Sequence, residues 1–146
     1  ITEEDIVQAI PKTLQDNIFD LTQLILAKKI DQARDLVRDL TLQGEDEIKL
    51  IAIMLGQFRL YTQVKILQES GQTESQMVSS LGHYLGRNPN PYQIKFALRD
   101  TRGLSLHFLQ DSIRYLIQAD YQIKTGVYEK GYLFEKALLQ IASQLN

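Results

Sequence analysis

Residues 46–69 carry apolar side chains almost all the way round a helix. Ile48, Ile51, Ala52, Leu55 and Phe58 fall on one stripe at helical spacing. Leu50, Ile53, Met54, Leu60 and Tyr61 cover most of the remaining surface. A helix that is apolar on nearly every side must be enclosed by other elements, so this pattern predicts a buried central helix. Gly56 lowers helix propensity in its middle and is expected to mark a close helix crossing. A chain of 146 residues has room for such a helix and one shell of partners, which means one domain, or one domain plus part of a neighbour.

The flanking segments supply that shell, and their start and stop signals are helical. Thr2 with Asp5 opens a short helix that ends by Ile10, because Pro11 disfavours helical geometry in the residue before it. A second helix is expected over residues 17–28, capped by Asp16 or Asn17, and a third from an Asp31 cap to the stop at Gly44. After the central helix, Thr73 and Gln76 form a capping-box pair. Asn90 followed by Pro91 starts the next helix, and Ser105 starts one that closes at Gly126. A last helix over residues 129–144 carries Leu133, Phe134, Ala137, Leu138 and Ile141 on its apolar side. No sustained period-two alternation and no Asn-Gly or Asp-Gly turn appears. The reading is an all-α fold, a compact bundle of about seven to eight helices.

Charge and composition exclude several functions. Residues 1–50 carry 11 acidic and 6 basic side chains, residues 51–102 carry 3 and 6, and residues 103–146 carry 4 of each. The net charge of −2 does not suit a general nucleic-acid binder, which needs a basic surface to neutralise phosphates. Cys 0 removes disulfides and thiolate metal sites, and His 2 leaves too few imidazoles for a histidine-built one. The longest apolar run, residues 50–56, falls far short of a membrane span, and no signal-peptide pattern opens the chain. Ile1 in place of methionine is expected of a piece of a longer protein, and the signal-free, cysteine-free composition of a cytoplasmic one.

Catalytic constellations are not found. There is no phosphate-binding glycine loop, no GxSxG and no HExxH, so neither a catalytic residue nor a cofactor or metal site is assigned. His83 and His107 read as ordinary histidines. The acidic run Glu45-Asp46-Glu47 has its simplest role at a helix N-terminus, where negative charge complements the dipole. Asp120 is different, because it falls on the apolar stripe formed by Leu116, Ile117 and Ile123. A carboxylate there has to be paired or reach water. Lys124, four residues on, offers a helix-surface pair, and Arg59 from the central helix is expected to make a partly buried contact with Asp120. Lys95, Arg99 and Arg102 follow the turn at residues 86–90, and a helix-turn-helix DNA-binding or regulatory domain is the alternative reading of that region.

A family resemblance emerges from the order of several short motifs. Asn17-Ile18-Phe19-Asp20-Leu21, the helix from Ala33 to Leu40, Gly44-Glu45-Asp46 and Gln57-Phe58-Arg59 resemble the bacterial DNA polymerase III delta subunit, Gram-positive type. Lys65, Pro91-Tyr92 with Lys95, and Leu104-Ser105 continue the likeness. The most distinctive piece, Ala119-Asp120-Tyr121-Gln122-Ile123-Lys124-Thr125-Gly126, is similar to the family's aspartate, lysine and glycine pattern in its last helices.

The resemblance implies a non-catalytic subunit of the polymerase holoenzyme's clamp loader. That machine opens the sliding clamp and places it on primed DNA. Residues 1–12 would end a lid domain, and 13–146 would form the helical collar, or oligomerisation, domain. Its implied partners are the tau/gamma and delta-prime subunits. The clamp would be reached only through an N-terminal domain outside this sequence, DNA only indirectly, and no membrane or cofactor is involved. Arg59, Asp120, Lys124 and Gly126 are the structural candidates. Tyr128, Tyr132 and Phe134 are candidate interface residues, with core packing the simpler reading for any one of them.

Overall fold

Thr13 opens the first helix through a capping box: its hydroxyl accepts from the Asp16 backbone N–H at 3.0 Å, and the Asp16 carboxylate accepts from the Thr13 N–H at 3.3 Å. The computed structural model describes residues 12–86 and 89–145. It contains α1 (Leu14–Leu26), α2 (Ile30–Leu42), α3 (Glu47–Glu69), α4 (Glu74–Leu85), α5 (Pro91–Thr101), α6 (Leu106–Lys124) and α7 (Lys130–Ser143). Among the described residues there is no strand. The expected helix before Pro11, and with it the lid segment, lies outside the described residues.

Most of the expected caps form. Thr73 pairs reciprocally with Gln76, Asn90 precedes Pro91, and Ser105 accepts from the Phe108 N–H at 3.0 Å. Asp46, expected only as dipole-complementing charge, caps α3 as well, accepting from the Ile48 N–H at 2.8 Å. Two starts differ. Helix α1 begins a turn earlier than expected, because Thr13 rather than Asp16 or Asn17 is the cap. Helix α2 has Lys29 at its cap position without a side-chain bond, and Asp31 stands inside the first turn, where its charge still complements the dipole.

The long helix α3 packs against α6 and α5, and also against α1, α7 and α4. Leu50, Ile51, Met54, Phe58 and Val64 are buried on these sides. The enclosure is not complete. Ala52, Gly56 and Arg59 lie exposed along one stripe, and nothing approaches within 4 Å of a Cβ placed on Gly56. The expected close crossing at Gly56 is therefore absent within the described chain. Among the described residues α3 is also the one helix long and apolar enough to cross a membrane by composition. That composition is used in part by packing, since Leu50, Ile51, Met54, Leu55, Phe58, Tyr61 and Val64 are buried inside the bundle.

Polar side chains join the layers where helices cross. The Thr22 hydroxyl on α1 donates to the Gln57 amide oxygen on α3 at 2.7 Å. Asp100, on α5 and nearly buried, accepts from Gln23 of α1 at 2.7 Å, from Tyr61 of α3 at 2.9 Å and from the Arg99 guanidinium at 3.1 Å. A buried carboxylate held by three donors from three helices fixes their relative positions, since an unpaired charge there would be costly. No buried side-chain polar atom among the described residues lacks a partner.

Candidate interaction surface

Helix α6 ends because Gly126 can adopt a left-handed conformation, with φ of 71°. Its N–H bonds to the Ile123 carbonyl, and the Val127 N–H to the Gln122 carbonyl, both at 3.1 Å. This is a Schellman closure, which satisfies the last carbonyls and turns the chain sharply back. The turn delivers Val127 and Tyr128 into solvent at the start of α7.

Helix α7 then divides its side chains cleanly. Leu133, Phe134, Ala137, Leu138 and Ile141 face the core, where α7 packs on α6. Tyr132, Lys136, Leu139 and Ser143 face outward. Together with Glu135 and Gln140, they line a shallow open groove along the helix. Tyr128 and Tyr132 meet edge to face with ring centroids 5.8 Å apart. Both remain largely in water, 66% and 55% exposed, and Leu139 is 42% exposed. On α6, Ile117 and Tyr121 stand one turn apart and are also exposed. Six of the ten exposed large hydrophobic side chains among the described residues lie on α6, α7 and the turn between them.

Two surface ion pairs link α7 to neighbouring helices. Lys130 at the first position of α7 contacts Asp46, the cap of α3, at 3.1 Å. The Ile48 N–H, and after it the Lys130 ammonium, hold the Asp46 carboxyl below the usual carboxylate range. Arg34 of α2 meets Glu135 at 2.7 Å, beside the groove.

The sequence candidates separate accordingly. Gly126 supplies the left-handed residue of the turn, and Tyr128 and Tyr132 form an exposed aromatic pair beyond it. Phe134 is fully buried and belongs to the core. Asp120 pairs with Lys124 at 2.9 Å, and the expected Arg59 contact does not form. Arg59 sits on the open stripe of α3, so it has no reason to leave water, whereas Lys124 is already one turn away on the same helix. The Asp100 cluster was not anticipated, nor was Asp111, which is buried and contacts His107 at 3.1 Å and Arg114 at 3.0 Å. The i, i+4 and i, i+3 spacing of His107, Asp111 and Arg114 was the available signal for the second.

The turn region considered for DNA reading presents Lys95, Arg99 and Arg102 in solvent. Arg99 is engaged on both sides, lying 4.9 Å from the Phe96 ring centroid and bonded to Asp100. Among the described residues no group of acidic, histidine or cysteine side chains is arranged to hold a metal ion.

The family model for the DNA polymerase III delta subunit, C-terminal domain, matches residues 15–141. The DNA polymerase III subunit delta of Bacillus subtilis (strain 168) is 33% identical over 141 residues, covering 97% of this chain and 39% of that protein. The solved structure of the Bacillus subtilis DNA clamp loader delta protein, YqeN, superposes with a TM-score of 0.84 at 32% identity, over 99% of this chain and 41% of that one. The chain thus spans roughly two fifths of the length of the relatives it matches. The helix-turn-helix alternative finds no support among them.

Proposed function

This chain belongs to the DNA polymerase III delta subunit family, matching its C-terminal domain, and from that premise we propose that it is an assembly module of a bacterial clamp loader. One observation carries the reading: most of the exposed large apolar side chains among the described residues lie on α6, α7 and their connecting turn, and Tyr128 and Tyr132 there form an aromatic pair in solvent. Large aromatic side chains left in water on a rigid helical support are the usual anchors of a protein–protein interface. Their partners in this reading are the tau/gamma and delta-prime subunits of the loader. In this reading, contact with the sliding clamp falls to a region outside this chain, which spans about two fifths of its relatives. DNA is engaged through the assembled complex, in the bacterial cytoplasm. The domain's contribution is to position, and the reading requires no cofactor.

The test uses the full-length protein carrying this domain, mixed with purified tau/gamma and delta-prime subunits. The double variant Tyr128→Ser/Tyr132→Ser is expected to lose co-elution in size-exclusion chromatography while melting at the same temperature as the parent. A Tyr92→Ser variant, altered on α5 instead, is expected to assemble normally. Full assembly of the double variant would overturn the assignment of this face.

A further inference from the structure

We draw no further inference here: the strongest candidate, the exposed Tyr92–Phe96–Arg99 face of α5 with Lys95 and Arg102 beside it, carries nothing because nothing in the structure shows what covers it.

Discussion

The hydroxyl of Tyr61 donates a 2.9 Å hydrogen bond to the carboxylate of Asp100, tying the second half of α3 to the end of α5. Tyr61 is buried, and Asp100 keeps only 4% of its side chain in water. A hydrogen bond to a charged acceptor contributes about 1.5–3 kcal/mol, so Tyr61→Phe is expected to destabilise by roughly that much. Asp100→Ala should cost more, because it strands both the Tyr61 hydroxyl and the Gln23 amide. The double variant should then cost less than the two single variants added together, since the second change removes a donor that the first left unpaired. Chemical denaturation of the four proteins measures this directly, and additive effects would mean that the two groups do not interact.

The same pair sets a limit at alkaline pH. Burial and the neighbouring Asp100 charge push the Tyr61 phenol well above the ordinary tyrosine range. In the unfolded chain a tyrosine ionises near its ordinary value of 10.0. Above that pH the unfolded state has released a proton that the folded state still holds. The contribution is therefore fully present below about pH 10 and is lost as pH rises, by up to ~1.4 kcal/mol per pH unit from this one group. Melting temperature followed from pH 9 to 11 is expected to fall less steeply in Tyr61→Phe than in the parent. Equal slopes would show that Tyr61 ionises freely in the folded protein.

What the sequence reveals depends on how far apart the interacting residues lie. The caps at Thr73, Asn90 and Ser105 act within three residues, and each reads directly from its neighbours. The Gly126 closure is equally local, and so is the Asp120–Lys124 pair, which prevails over Arg59 because it needs no tertiary arrangement. Thr13 was overlooked for the opposite reason, since the apolar period of α1 becomes visible only at Ile18 and the cap precedes it by a turn. Burial around α3 was overestimated at Ala52 and Gly56. Apolar character states that a face tolerates contact, and the neighbouring helices leave this one open. The Asp100 cluster was invisible because Gln23 lies 77 residues away in the chain, with no periodicity linking the two. On the interaction surface, Tyr128 and Tyr132 were legible as candidates. Their separation from Phe134 required knowing which side of α7 meets α6.

Lys28 offers a test of the loop between α1 and α2. It closes α1 in the left-handed conformation, with φ of 61°, the one non-glycine residue with positive φ among those described. The Lys29 N–H bonds to the Leu24 carbonyl at 2.9 Å and the Lys28 N–H to the Ile25 carbonyl at 3.0 Å, the same closure that glycine makes after α6. A side chain in this conformation costs about 1–2 kcal/mol, part of which glycine returns through its freer unfolded state. Lys28→Gly is expected to stabilise the domain by up to about 1 kcal/mol. Lys28→Val should destabilise it, because a branched Cβ fits the conformation worst. Thermal melts that ranked the parent above Lys28→Gly would show that the lysine side chain contributes more than its backbone strain costs.

Gly56 separates the stability of the isolated domain from its behaviour in an assembly. It stands in the interior of α3 with helical neighbours on both sides, is exposed, and has open space where a Cβ would be. Alanine in a solvent-facing helix interior is favoured over glycine by about 0.8–1 kcal/mol, so Gly56→Ala is expected to raise the melting temperature of the isolated domain. Gly126→Ala makes the internal contrast. There the φ of 71° is required by the α6 closure, and the same added methyl is expected to lower it. Melting both variants beside the parent checks the pair of signs. In the proposed loader assembly a third measurement is informative, because only a partner helix lying close against Ala52 and Gly56 would make the methyl unwelcome. Assembly of the full-length Gly56→Ala protein with tau/gamma and delta-prime is expected to match the parent, since the proposed contact lies at α6–α7. Loss of assembly by a more stable domain would move the interface onto the open stripe of α3.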